Sequence, residues 1–221
     1  GTWNIPGSEW RRTFFKRMKY IFSFIDQPMK VGAMLALGFF MIASIYPWKA
    51  PRSVWDSPDE NANAVLIREF GSRGRLFLSE PLQTLAEGRL APRSFRARGD
   101  LLVPVGFLGL PVIYGTFHRF LPELFPFFTA AILAVALLTW HHFLAGKVSK
   151  QFAFFATSLF AFHPATLYYA SRGLLPNGAF LALAMIAITL LGDKTRGRLA
   201  LFGSGVLIGL ALFIRASEVI W

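Results

Sequence analysis

Asp59 and Glu60 are neighbouring carboxylates in the stretch Trp55-Asp-Ser-Pro-Asp-Glu60, and they open a polar loop directly after the first membrane-length apolar run. Two such groups can serve as a general base and its orienting partner. They can also hold a divalent cation such as Mg or Mn through oxygen ligands. Pro58, just before them, marks a turn or helix start, where acidic side chains also cap backbone N–H groups and meet the positive end of the helix dipole. The same run therefore reads as a cap or as a reaction centre, and its place at a membrane face favours the second.

The loop that follows carries Arg68, Arg73, Arg75, Arg89, Arg93, Arg96 and Arg98. Guanidinium forks match phosphate oxygens, of a lipid headgroup or of a pyrophosphate. Arg172 differs from these because it stands nearly alone between apolar segments, with Ser171 before it and Asn177 after it. A cation so placed requires an anionic partner. Histidine offers less. His141 and His142 are expected at a span end, pointing about 100° apart and interfacial. His163, before Pro164 in an apolar stretch, is expected to satisfy a backbone carbonyl rather than a metal, and His118 to face either lipid or the site. The chain has no Ser-His-Asp order or Gly-rich phosphate loop. With no cysteine, disulfides and thiolate metal sites are excluded.

The elements that must position these groups are membrane helices. Of 221 residues 54% are hydrophobic, including 24 Phe and 6 Trp, more apolar surface than a soluble domain of this size can bury. The formal charge of +11 would suggest nucleic acid in a soluble chain. In a membrane protein the basic residues belong at helix ends, against lipid phosphates, so no nucleic-acid partner is expected. Residues 1–30 interleave Lys and Arg with aromatic and aliphatic residues, as a cytoplasmic basic amphipathic segment does. Apolar stretches follow at 31–48, 101–117, 124–140, 152–170, 178–192 and 199–214. The long polar stretch 49–100 reads as short helices lying on the membrane, with 61–70 one of them.

Charge decides how many stretches cross. If all six did, Lys147, Lys150, Lys194, Arg196 and Arg198 would fall outside, against the preference of short cytoplasmic loops for Lys and Arg. Removing 101–117 from the spans puts all five inside, and that stretch carries Pro104, Gly106, Gly109, Pro111 and Gly115, which weaken a straight helix. The fold expected is thus an all-α, polytopic transmembrane bundle of about five spans with the N-terminus cytoplasmic. A juxtamembrane outer region, 49–123, then shares the outer face with the turn at 171–177. This brings Asp59 and Glu60 to the same surface as Arg172 and Asn177. Gly203, Gly205 and Gly209 are expected to permit close helix packing, and Arg215 to pair with Glu218.

A basic N-terminal segment, one span, an outer loop opening on Asp59-Glu60, a Pro- and Gly-rich element, Ser171-Arg172 before another span, and Gly-Leu-Ala-Leu-Phe-Ile-Arg at 209–215 together resemble the amino-terminal part of the GT-C superfamily of membrane glycosyltransferases. The nearest likeness is to dolichyl-phosphate-mannose protein mannosyltransferases and lipid A aminoarabinose transferases. The resemblance runs over most of 31–217 through short motifs. It implies that residues 31–221 form the front module of a longer enzyme of the inner membrane. That enzyme would move a sugar from a polyprenyl-phosphate donor to an acceptor at the outer face. Carried onto this chain, Asp59 and Glu60 take the catalytic and cation-binding roles, while Arg172, Asn177, Arg96 and Arg98 contact the substrate. Relatives often carry an acid after Ser-Arg where this chain has Asn177, which cannot act as a base. The alternative is a non-catalytic transmembrane subunit derived from the same fold, whose partners are lipids and other membrane subunits.

Overall fold

The computed structural model describes residues 27–49, 54–106, 108–192 and 197–216. The amphipathic segment expected over 1–26, together with Lys194, Arg196 and Glu218, lies outside the described residues. The chain is mostly helical. Helix α1, Pro28–Ala43, passes through a turn at Ser44 into α2, Ile45–Lys49. Together they make a 22-residue apolar rod, about 33 Å long at 1.5 Å per residue. A second stretch of crossing length, Phe125–Ala145, is a 3₁₀ turn leading into α6, Phe128–Ala145. Both are long and apolar enough to span a bilayer. Multi-pass membrane character is therefore carried by these two helices, with a bent pair described below as a third candidate.

Between them lies a region that is not purely helical. Helix α3, Pro58–Arg73, ends at Gly74, whose left-handed φ of 67° lets its N–H reach the Phe70 carbonyl. After it come β1 (Leu78–Ser79), the short α4 (Leu82–Leu85), β2 (Phe95–Arg98) and β3 (Leu101–Pro104), which build an antiparallel sheet of order β1-β3-β2. The all-α expectation is corrected here. Phe95-Arg-Ala-Arg98 has the period-2 alternation of a half-buried strand, with Phe95 and Leu102 packed on Ala62 and Leu66 of α3. The pattern is too short to declare itself before its partner strand is known.

Residues 101–117 do not form a single helix. They divide into β3 and α5, Gly109–His118, and ten helical residues rise only about 15 Å, too little to cross. Helix α5 instead lies on α3, where a Cβ on Gly71 would stand 2.7 Å from the Gly115 carbonyl oxygen and one on Gly115 would stand 3.0 Å from that of Ile67. Only glycine at both positions allows this approach.

The stretch expected as one span at 152–170 is also two helices, α7 (Lys150–Ala161) and α8 (Pro164–Ser171). Pro164 has no N–H to donate and sits in the first turn of α8. The His163 side chain caps that turn, accepting from the Ala165 N–H at 3.2 Å, so it takes a backbone N–H rather than the expected carbonyl. Helix α8 meets α9, Pro176–Gly192, at 112°, as a broken span or a re-entrant turn does. Helix α10, Arg198–Ile214, packs along α9 and touches α5.

One core gathers Phe39, Leu133, Leu137 and alanines of α6 to α9, and a second gathers Trp55, Ile67, Leu110, Tyr114, Leu174 and Ile214. Many large apolar side chains remain outside: Met34, Leu37 and Met41 on α1, Phe152, Phe155 and Leu159 on α7, and Leu199, Leu201 and Phe202 on α10. Lipid is the solvent such a surface requires. Two further expectations change. His141 is buried, its Nδ1 3.3 Å from Thr157 Oγ1, and only His142 is exposed. Gly203, Gly205 and Gly209 face open space rather than a packed helix, because α10 meets the bundle through Ser204, Ala211 and Ile214 on other faces.

Candidate functional site

The run Trp55 to Asn61 folds as a helix start. Ser57 is the N-cap, its Oγ accepting from the Asp59 N–H at 3.3 Å, and Pro58 follows with φ already suited to the first turn. Asn61 closes the loop back on itself. Its Oδ1 accepts from the Trp55 N–H, and its Nδ2 donates to the Trp55 and Ser57 carbonyls at 2.7 and 2.9 Å. The capping reading of this sequence is met, with Ser57 rather than a carboxylate as the cap.

Neighbours on a helix diverge by about 100°, and Asp59 and Glu60 accordingly point to different places. Glu60 is fully buried. Its Oε2 accepts from Arg172 Nε at 2.8 Å and also from Arg172 Nη2. Arg172 Nη1 lies 3.5 Å from Asp56 Oδ2, which in turn accepts from the Tyr46 hydroxyl at 2.7 Å. The guanidinium sits 5.2 Å from the Tyr46 ring and 5.7 Å from that of Tyr168. Arg172 thereby joins α2, α3 and the end of α8. It has the anionic partner that its position demanded.

Asp59 instead faces a cavity of about 380 Å³ between α3, the sheet and the first turn of α9. Its polar wall consists of Asp59, Asn63, Arg93, Ser94, Asn177 and Arg215, and its apolar wall includes Leu66, Leu110 and Leu175. Ser94 Oγ donates to Asp59 Oδ1. The opposite wall is held by Asn63, whose Nδ2 donates to the Leu174 carbonyl at 2.8 Å. Behind it Thr129 donates to the Gly173 carbonyl while accepting from the Tyr114 hydroxyl at 2.7 Å. Gly173 has no room for a side chain, since a Cβ would stand 2.5 Å from the Pro126 carbonyl oxygen. The turn carrying Asn177 is thus fixed from several directions.

Of the residues singled out in the sequence, Asp59 and Asn177 meet in this cavity, and Glu60 and Arg172 form the brace beside it. Arg96 and Arg98 do not line it. They alternate outward from β2, exposed, while Phe95 turns inward. Arg93 and Arg215 stand in the wall instead. Arg93 was visible in the Arg-rich loop and Arg215 in the Gly-Leu-Ala run, but the strand that selects among these arginines was not. A cation held jointly by Asp59 and Glu60 requires the two carboxylates to converge, and here one faces the cavity while the other is taken by Arg172. Among the described residues no three His, Cys, Asp or Glu side chains gather as a metal set.

Fold and site together define a mostly helical membrane protein with a small sheet-bearing region that closes a polar cavity at the end of its apolar helices. Comparison of the chain with protein families, curated proteins and solved structures finds no match.

Proposed function

We propose that this cavity is the reaction centre of a glycosyltransferase that moves a sugar from a polyprenyl-phosphate donor to an acceptor at the outer membrane face. The observation that carries the reading is the convergence of one carboxylate, Asp59, with Arg93, Arg215 and Asn177 in a single cavity beside lipid-facing helices. In the reaction, Asp59 takes the proton from the acceptor. The acceptor oxygen bonds to the anomeric carbon, and the bond from that carbon to the phosphate oxygen breaks. The electron pair leaves on the polyprenyl phosphate, whose charge Arg93 and Arg215 match. Asn177 hydrogen-bonds the sugar. Glu60 and Arg172 act as positioning residues, and no step runs through a metal ion.

The chain is read as crossing the inner membrane five times, through α1 with α2, α6, α7 with α8, α9 and α10, with its N-terminus inside. Lys147, Lys150 and Arg198 at one set of helix ends support this orientation. The test uses the protein in liposomes with radiolabelled polyprenyl-phosphate mannose or aminoarabinose. Asp59→Asn, which keeps size and removes basicity, is expected to lower transfer at least about 100-fold with folding intact. Transfer near the unmodified level would overturn the assignment.

A second reading, a non-catalytic subunit of a larger membrane complex, is favoured by one observation. The glycine-bearing face of α10 is open and apolar. It predicts no transfer by either form, and crosslinking from Gly205 to another membrane protein.

A further inference from the structure

Two cavities border α3. In the second, of about 270 Å³, Arg68 and Glu123 already have partners. The first keeps open hydrogen-bonding capacity, and it does so along one face of one helix. Asp59, Ala62, Asn63 and Leu66 of α3 all line it, at the i, i+3, i+4 and i+7 positions that share a helix face. That face grades from a carboxylate through an amide to an aliphatic side chain. A rise of 1.5 Å per residue separates Asp59 from Asn63 by about 6 Å along the axis.

What Asn63 offers the cavity is fixed by what lies behind it. The Leu174 carbonyl can only accept, so the amide turns its Nδ2 there, at 2.8 Å, and its Oδ1 away. Oδ1 receives no hydrogen bond among the described residues and is not shut off from solvent, so it opens to the cavity that Asn63 lines. It accepts, and it cannot turn round to donate without breaking the bond to Leu174. Asp59 is constrained in the same sense, because Oδ1 takes the Ser94 hydroxyl and Oδ2 is left for a ligand. The α3 face therefore presents two free acceptors and no free donor.

We propose that Asn63 determines the sugar specificity of this cavity. Its Oδ1 accepts a hydrogen bond from one ring substituent of the transferred sugar, so the site takes a sugar with a hydroxyl or amino group at that position and rejects one that is deoxygenated or carries a carboxylate there. The assignment rests on the glycosyltransferase reading of the same cavity. With the acceptor oxygen between Asp59 and the anomeric carbon, a ring laid along α3 towards Leu66 brings one substituent to Asn63 and its C–H face against Leu66 and Leu110. A bare carbon at that position leaves Oδ1 unpaired, and a carboxylate sets acceptor against acceptor.

The test compares polyprenyl-phosphate mannose with its monodeoxy forms as glycosyl donors to the protein in liposomes. One deoxy form is expected to lose at least about 100-fold in kcat/KM with the unmodified protein. Asn63→Ala should bring mannose down to the rate of that form and remove the difference between the two, while the other deoxy forms keep their ranking. Because Nδ2 also ties α3 to the turn before α9, melting temperature is followed in parallel. If mannose and every deoxy form fall by one common factor in Asn63→Ala, the residue is structural only and the proposal is overturned. Asn63→Asp keeps the shape and an accepting oxygen, so it should retain the discrimination, and it serves where Asn63→Ala does not fold. Discrimination lost in folded Asn63→Asp likewise overturns the proposal. Equal rates for all the donors with the unmodified protein would remove the role of Asn63 alone, whereas no transfer of any donor would remove the glycosyltransferase reading and this proposal with it.

Discussion

At the residue scale, the two acids that look equivalent in the sequence differ in what they touch. Glu60 forms a buried ion pair with Arg172, while Asp59 meets the cavity. Removing one partner of a buried pair leaves an uncompensated charge, so Glu60→Gln should lower stability by about 3 kcal/mol. Replacing both partners with Leu and Met should restore much of that loss, and chemical denaturation in detergent would measure both. Should the double variant be no more stable than the single one, the pair is not the cause. Arg172→Lys keeps the charge but loses the fork and the ring contacts to Tyr46 and Tyr168, so it should fall between the wild type and Glu60→Gln. His118 gives the pH expectation. Its folded pKa lies below the ordinary 6.5, so the unfolded chain binds the proton first as pH falls. Its share of stability is complete above pH 6.5 and is lost as pH drops through the lower, folded value. His118→Gln should flatten that part of the stability profile, and an unaltered profile would place the effect elsewhere.

At the element scale, α5 approaches α3 and α10 through glycines, and Leu110 of α5 and Arg215 just after α10 both line the first cavity. A Cβ at Gly109 would stand 2.2 Å from the Phe213 carbonyl oxygen, against backbone that cannot rotate aside. Gly109→Ala should therefore cost about 1–3 kcal/mol, the range for overpacking, and displace α10 together with Arg215. Gly203→Ala, where nothing lies within 4 Å, should be neutral or slightly stabilising because alanine is the better helix former. Thermal melts of the two variants in the same detergent would compare them. Equal effects would mean that α5 and α10 do not meet as described.

For the whole molecule, orientation follows from a chain that lacks cysteine, since one introduced thiol reports its side of the membrane. Ser72 and Lys147 are both exposed. A cysteine at Ser72 should react with an impermeant maleimide in intact cells, and one at Lys147 only after permeabilisation. The reverse pattern would invert the topology. Lys147 serves better than Ser149, whose hydroxyl caps α7 by accepting from the Phe152 N–H.

Sequence alone determined the membrane class, because the excess of apolar residues exceeds what any soluble fold of this length can bury and no arrangement of the chain removes it. It also located Asp59, Glu60, Arg172 and Asn177 as neighbours, from charge placed between apolar runs. Three things awaited tertiary structure. Strand pairing turned Arg96 and Arg98 outward, since the two-residue period of Phe95-Arg-Ala-Arg98 gains meaning only when Phe95 has α3 to pack against. Pro164 split an apolar run that composition could not distinguish from a continuous span. Finally, the 100° step between adjacent helical residues sent Asp59 to a cavity and Glu60 to Arg172. Composition reports how much surface must be hidden from water, whereas the direction of each side chain depends on contacts made over a hundred residues away.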